Sequence, residues 1–168
     1  MTRPGRALLV FAYGSNLLPA RLLARTPSAR VVATGVLPGH RLAWHMASRD
    51  GSGKCDVVAD AAAEVHGVVW RLDPADKPAL DAAESLGHGY TERALAVHTA
   101  AGVLEAWTYL ALRTDPALRP YDWYRDIVVA GARHHGLPTS YVAALAAIEA
   151  LADPDPLRAA RHRQLLPG

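Results

Sequence analysis

The stretch LLVFAYGSNLLPARLL, residues 8–23, decides the start of the fold, because its character changes abruptly in the middle. Residues 7–13 are apolar and rich in strand-favouring types, so they predict a buried β-strand. A glycine, a serine and an asparagine at 14–16 interrupt this run, and Pro19 suits the first position of a helix. The stretch therefore predicts a strand, a tight turn and a helix over 19–25.

The predicted turn can act as an anion-binding site. Glycine tolerates positive φ, so the amides of Gly14, Ser15, Asn16 and Leu17 can converge on one point, where the start of the next helix adds to their positive field. A carboxylate or phosphate is the natural ligand. The alternative is a plain strand-to-helix connection, with Asn16 or Ser15 as a cap. The spacing is not that of a phosphate loop, and the second glycine of a nucleophile elbow is missing.

The rest of the chain reads as short strands followed by helices. Asp73 and Pro74 predict a helix to about Leu86, and helical periodicity returns from Tyr121, with a second helix over 139–151. This order favours an α+β fold in which the strands close into a small mixed β-barrel surrounded by helices. The further strands are predicted at 31–37, 41–46, 55–60, 65–72, 90–99 and 103–112.

Length and composition fit a single domain over residues 1–168, with 51% hydrophobic and 20% charged residues. No apolar run approaches the roughly 20 residues that cross a membrane, so we expect no membrane partner. Residues 1–6 carry two arginines but precede no clean cleavage site, and Cys55 has no cysteine to pair with, so we expect a cytoplasmic protein. Oligomeric state is open, with a homodimer as one alternative.

Two partner classes are disfavoured. The net charge is only +2, and the basic run at 158–164 has no aromatic residues between its charges, so it predicts a solvated helix and no nucleic-acid partner. The histidines lack the spacing of metal ligands, so we expect no metal.

Glu84 is the candidate acid–base residue. Leu80, Ala83 and Glu84 are spaced at i, i+3 and i+4, which puts a carboxylate on the inward face of the helix. Burial raises the pKa of a carboxyl group toward neutrality, where it can both take and give a proton. The alternative is a helix-end glutamate that turns back to solvent near Gly87. Asp81 is predicted to lie on the solvated side.

Two tyrosines flank these elements. Tyr13 lies beside the turn, and Tyr90 follows Glu84 after a flexible Gly-His-Gly segment, so both can face one pocket. The remaining aromatic residues are interpreted mainly as packing.

Four segments, taken in order, resemble the γ-glutamylcyclotransferase family over roughly residues 8–150: FAYGSNLLPARLLARTPSA, EVHGVVWRL, LDAAES and GARHHGLPTSYVAALAAIEA. The resemblance implies a small β-barrel wrapped by helices, with the Tyr13–Leu17 turn holding the glutamyl part of the substrate. It further implies Glu84 as general acid and base, with Tyr90 and Tyr124 as pocket tyrosines. Tyr90 stands one residue nearer to Glu84 than the family pattern predicts. Residues 151–168 lie outside the match, as a C-terminal helix or tail.

The family's reaction needs no cofactor, and we expect none. The α-amine of a small-molecule γ-glutamyl substrate attacks its own γ-carbonyl, which gives 5-oxoproline and a free amine. Proteins similar to this one differ in the released group, which can come from a dipeptide, a γ-glutamyl amine, glutathione or a glutamyl cap on a biosynthetic intermediate. Two alternatives remain open: a non-catalytic protein that binds a γ-glutamyl metabolite, and acyl transfer or hydrolysis through Ser15.

Overall fold

Five strands and five α-helices make up the described part of the chain, residues 6–168 of a computed structural model. The prediction about the N-terminal segment concerns residues 1–6, and residues 1–5 lie outside the described residues. The strands are β1 (Leu8–Ala12), β2 (Arg30–Ala47), β3 (Gly53–Leu72), β4 (Tyr90–Thr99) and β5 (Gly102–Ala111). The helices are α1 (Pro19–Arg25), α2 (Lys77–Ala83), α3 (Asp122–His134), α4 (Thr139–Ala146) and α5 (Pro156–Arg163).

The strands close into a mixed barrel in the order β1-β3-β2-β4-β5, which confirms the predicted fold class. β1 pairs in parallel with β5 at Val10 and Trp107, and the other pairings are antiparallel. Closure leaves β1 paired on both sides, as expected for a strand whose Val10, Phe11 and Ala12 are all buried. The barrel therefore fixes the backbone that leads directly into the turn at residue 14.

Two pairs of predicted strands are each one long strand, so the expectation of short strands was wrong there. Pro38 and Gly39 do not end β2: the pairing passes from Pro38 with Glu64 to His40 with Ala59 across an irregularity. Proline has no N–H group to donate, and a β-bulge needs no backbone donor where the pairing is interrupted, so Pro38 is tolerated there. Gly39 adopts a φ of +71° at the same point. The long β2-β3 ribbon carries Cys55 toward the turn.

Two helices end earlier than predicted. The Asp73 side chain accepts a hydrogen bond from the Ala75 amide at 2.9 Å, as predicted for a cap, but α2 ends at Ala83 rather than near Leu86. Ser85 and Gly87 take positive φ values of 51° and 88°, and these end the helix.

Helix α4 ends at Ala146, five residues before the predicted end at residue 151. The chain then returns to α3, where the Asp122 amide donates to the Leu151 carbonyl at 2.8 Å. This contact requires residue 151 to be extended instead of helical.

Residues 156–163 form the predicted C-terminal helix, and none of its residues is buried. It packs on α3, where Arg163 forms ion pairs with Asp122 and Asp126 at 2.8 and 3.3 Å. Within residues 6–168, no helix combines the length and apolar character needed to cross a membrane.

Candidate active site

The turn after β1 is a short 3-10 helix over Ser15–Leu17. Gly14 does not use the tolerance of glycine for positive φ, because its φ is −115°. Space favours the glycine instead: a Cβ atom at this position would lie 3.0 Å from Cys55 Cβ and 3.2 Å from Tyr124 Oη. The close approach of the β2-β3 ribbon and α3 to the turn therefore disfavours a side chain.

The amides of the turn divide into two kinds. The Leu17 amide donates to the Gly14 carbonyl at 3.1 Å, so the turn itself uses this group. The backbone amides of Ser15 and Asn16 come first in the turn, so no carbonyl group of the turn accepts a hydrogen bond from them. The Leu17 side chain is fully buried and lies under Gly131 of α3, away from the cavity. Of the four amides in the predicted anion site, the Leu17 amide is thus already used within the turn.

Glu84 lies beside this turn, at the C-terminal end of α2. Its Oε1 atom accepts a hydrogen bond from Asn16 Nδ2 at 2.7 Å and one from Arg25 Nη1 at 3.2 Å. Arg25 also donates to Asn16 Oδ1 at 2.9 Å, which closes a triangle of contacts. The Glu84 side chain is 14% exposed, so it does not turn back to solvent.

Arg25 was not among the predicted site residues. A signal was available, because Arg21 and Arg25 are four residues apart and share one face of α1. Pro19 begins that helix at the end of the turn, so this face is directed back at the predicted anion site.

An inner cavity of about 40 Å³ lies between the turn and the barrel. Three of its tyrosine hydroxyls bond to backbone groups: Tyr13 donates to the Tyr109 carbonyl at 2.5 Å, and Tyr90 donates to the Cys55 carbonyl at 2.7 Å. The Tyr124 hydroxyl accepts from the Cys55 amide at 3.0 Å. The cavity brings together every predicted site residue except Leu17. Its lining is Val10, Phe11, Ala12, Tyr13, Gly14, Ser15, Asn16, Cys55, Glu84, Tyr90, Tyr109 and Tyr124.

Burial keeps most of the titratable groups in this lining neutral. It raises the pKa of Tyr13, Tyr90 and Tyr124 well above the usual value of a phenol. It also raises the pKa of the Cys55 thiol to about 12, so this cysteine is no thiolate nucleophile. Glu84 is the one carboxyl group among the described residues that line the cavity.

Asp81 is not on a solvated face, contrary to the prediction. It accepts hydrogen bonds from Lys77 Nζ at 2.5 Å and from the Tyr109 hydroxyl at 2.6 Å. Lys77 also donates to Glu92 at 2.6 Å, so a charged network fixes Tyr109 behind the inner cavity.

A larger outer cavity of about 220 Å³ adjoins the inner one and shares with it Ser15, Glu84, Tyr90 and Tyr124. Its walls come from α1, the β2-β3 turn, the segment after α2, α3 and α5. His162 of α5 stacks on Trp123 with ring centroids 3.9 Å apart and planes 6° apart. The C-terminal segment, for which no function was predicted, therefore lines a cavity.

No group of three or more His, Cys, Asp or Glu side chains within the described part of the chain is arranged to hold a metal ion.

Comparisons with known proteins point to one family. Residues 64–145 match the AIG2-like family model. The chain is 33% identical to the gamma-glutamylcyclotransferase of Mus musculus over 152 residues, which cover 86% of this chain and 80% of the relative. It is 31% identical to the Homo sapiens gamma-glutamylcyclotransferase over 156 residues, covering 85% and 79%. A solved structure of a gamma-glutamyl cyclotransferase superposes with a TM-score of 0.83 at 29% identity, covering 89% of this chain and 92% of that one.

Proposed function

Because the chain belongs to the γ-glutamylcyclotransferase family, we propose that it closes γ-glutamyl amides to 5-oxoproline and releases the free amine, with Glu84 as acid and base. The observation that carries this proposal is the position of the Glu84 carboxylate at the junction of the two cavities. The substrate's glutamyl part occupies the smaller inner cavity, and its leaving group occupies the outer one.

The glutamyl part meets the turn and the tyrosines. Its α-carboxylate faces the free amides of Ser15 and Asn16, where the turn and the Arg25 guanidinium provide a positive field. Gly14 admits the backbone close to the ligand, and Leu17 supports the turn from below. Tyr13, Tyr90 and Tyr124 form walls whose hydroxyls are already fixed, so little side-chain freedom is lost on binding.

Glu84 moves the protons of the reaction. It removes a proton from the α-ammonium group, and the freed amine attacks the γ-carbonyl carbon to form the lactam C–N bond. The original amide C–N bond then breaks. In total, two protons pass from the attacking nitrogen to the departing one, which leaves as an ammonium group.

The reaction gains much of its rate from holding the substrate in the curled conformation. Attack within one molecule can gain up to about 7–11 kcal/mol from correct orientation. A protein nucleophile is unnecessary, which agrees with the high pKa of the Cys55 thiol.

We extend the proposal to the whole chain as one domain acting in the cytoplasm. The contact of the segment before α5 with α3 supports a single domain, since Trp123 Nε1 donates to Asp153 at 2.8 Å. The state of Cys55, a free buried thiol, supports a reducing compartment.

The test is incubation with γ-glutamyl-alanine, with 5-oxoproline, alanine and glutamate followed by mass spectrometry. We expect 5-oxoproline and alanine in equal amounts, and a Glu84→Gln variant with kcat lowered by about 10²–10⁴-fold. Glu105→Gln, at an exposed position on β5, is the matched control and should keep wild-type activity.

Each alternative has its own signature in this experiment. Glutamate in place of 5-oxoproline means that water is the nucleophile, as in hydrolysis through Ser15. Binding of γ-glutamyl-alanine without any product means a binding protein. Full activity of Glu84→Gln contradicts the role of Glu84 while leaving the reaction in place.

A further inference from the structure

The outer cavity carries more positive than negative charge. Its lining includes Arg21, Arg25, Arg49, Lys54 and Arg113 but only two carboxylates, Asp50 and Glu84. Both carboxylates are already paired, since Lys54 lies 2.8 Å from Asp50 and Arg25 lies 3.2 Å from Glu84. Within residues 6–168, no carboxylate is within ion-pair distance of the three remaining guanidinium groups.

Arg21 is the most informative of these three cations. Its Nε atom is buried and has no hydrogen-bond partner among the described residues, while Nη1 donates to His162 Nδ1 at 3.2 Å. Burial lowers the pKa of Arg21 to about 10, so the group is still charged at neutral pH. A buried charge without a counterion is unfavourable. An anion bound beside Arg21 would offset that cost.

A second cation of the cavity, Lys54, is held in place by aromatic rings. Its Nζ atom lies 4.5 Å from the Trp123 ring centroid and 4.6 Å from that of Tyr124. Cation–π contacts and the ion pair with Asp50 fix this ammonium group near the junction with the inner cavity. The cavity thus has cations both at its inner end and, through Arg49 and Arg113, at its exposed rim.

We propose that the outer cavity selects a leaving amine with two carboxylates, as in the γ-glutamyl amide of an acidic amino acid. This inference rests on the proposed function. Any released amino acid supplies one α-carboxylate, which matches one of the unpaired cations. A second carboxylate, on the side chain of the leaving group, pairs with another of the unpaired cations.

The test compares two substrates of nearly equal size, γ-glutamyl-glutamate and γ-glutamyl-glutamine. These differ only in one side-chain carboxylate, which the second replaces with a neutral amide. We expect kcat/KM for 5-oxoproline formation to favour γ-glutamyl-glutamate by about tenfold at low salt. The preference should shrink as salt rises, because the rim arginines are exposed.

A double variant, Arg49→Gln with Arg113→Gln, tests which residues cause the preference. Both side chains are exposed, so the fold should tolerate their replacement. We expect the preference to fall from about tenfold to about two- or threefold. The control, Arg71→Gln with Arg93→Gln, removes the same charge from exposed positions outside both cavities and should leave the preference intact.

Binding separates this inference from the proposed function. Titration calorimetry of both substrates with the Glu84→Gln protein should give about a tenfold lower Kd for γ-glutamyl-glutamate. Equal Kd values, or a preference that the Arg49 and Arg113 changes do not reduce, overturn the inference even where 5-oxoproline forms. Absence of 5-oxoproline from γ-glutamyl-alanine and from both of these substrates overturns the proposed function instead.

Discussion

The inner and outer cavities meet at Glu84, but their walls are built in opposite ways. Tyr13, Tyr90 and Tyr124 of the inner cavity are 4–6% exposed, and their neutral hydroxyls bond to backbone groups of the barrel or its ribbon. The lining of the outer cavity includes seven charged side chains, which come mostly from loops and helices, and two of them, Arg49 and Arg113, are exposed.

On the proposed function, this difference separates the chemistry from the selection of substrates. A glutamyl group is the same in every γ-glutamyl amide, so a rigid, barrel-anchored cavity suits it. The leaving group varies between substrates, and part of its cavity is formed by loops and α5, which can change without disturbing the barrel. Substitutions in the inner cavity should therefore lower kcat for every substrate, and those in the outer cavity should alter the ranking of substrates.

The largest effect after that of Glu84 should come from Asn16→Ala. Asn16 donates to Glu84 at 2.7 Å and accepts from Arg25, so it orients the carboxylate. Its backbone amide, which we assign to the substrate, survives the change. We expect kcat to fall roughly 10- to 100-fold with KM nearly unchanged, for γ-glutamyl-alanine and γ-glutamyl-glutamate alike.

Arg49→Ala, on the exposed rim of the outer cavity, is the matched comparison for Asn16→Ala. It should raise KM for γ-glutamyl-glutamate about two- to fivefold and leave kcat for γ-glutamyl-alanine close to wild type. Equal losses of kcat in the Arg49→Ala and Asn16→Ala proteins would contradict the assignment of the chemistry to the inner cavity and of substrate selection to the outer one.

A smaller effect, on stability, should follow from Gly131→Ala behind the inner cavity. Alanine normally stabilises a helix relative to glycine by about 1 kcal/mol. Here, however, the new Cβ atom would lie 2.6 Å from both Leu17 Cβ and the Leu18 amide nitrogen. Because the backbone of the turn cannot move as a side chain does, we expect a net loss of about 1–2 kcal/mol.

Urea unfolding measures this loss, with Arg133→Ala, at an exposed position of α3, as the control. The control should change the free energy of unfolding by less than about 0.5 kcal/mol. A Gly131→Ala protein as stable as wild type would mean that α3 can move away from the turn. The inner cavity would then be less rigid than its contacts indicate.

Much of the fold follows from local sequence signals. The β4-β5 hairpin lies within one residue of the predicted positions, because Gly102, with a φ of 122°, marks the tight turn at residues 100–101. The β2 strand was divided in two at Pro38 and Gly39, because a bulge and a strand end carry the same proline and glycine signals. Whether the strand ends or continues past a bulge depends on its pairing with the neighbouring strand, and the sequence of one segment does not show that pairing.

The site was predictable only where its residues are close in sequence or are carried by a family resemblance. The turn and Glu84 were found in this way, whereas Arg25 and the Asp81 network were not, because their partners lie on separate elements. Asp81 is an example: helical periodicity placed it on the solvent side of α2. In the structure the hydroxyl of Tyr109, on strand β5, donates a hydrogen bond to it. The bond between His162 and Arg21 was not predictable for the same reason, because the two residues are 141 positions apart in the chain.

The smallest predicted effect concerns pH and the attachment of α5 to the outer cavity. Burial, together with the nearby cations Arg21 and Lys54, lowers the pKa of His162 to about 4. In the unfolded chain the same group has a pKa of about 6.5. Between these values the unfolded chain binds a proton that the folded protein does not, so this contribution to stability is complete above pH 6.5 and decreases as the pH falls toward 4.

His162→Phe isolates this contribution, because phenylalanine can stack on Trp123 but binds no proton. Since the ring is only partly buried, solvent screens the effect, and we expect the wild-type Tm to fall about 2 °C further than that of the variant between pH 7 and pH 5. The preference for γ-glutamyl-glutamate should fall in parallel in the wild type, because α5 supplies a wall of the outer cavity only. Activity on γ-glutamyl-alanine depends mainly on the inner cavity, so an equal pH-dependent loss for both substrates would mean that α5 also supports the inner cavity.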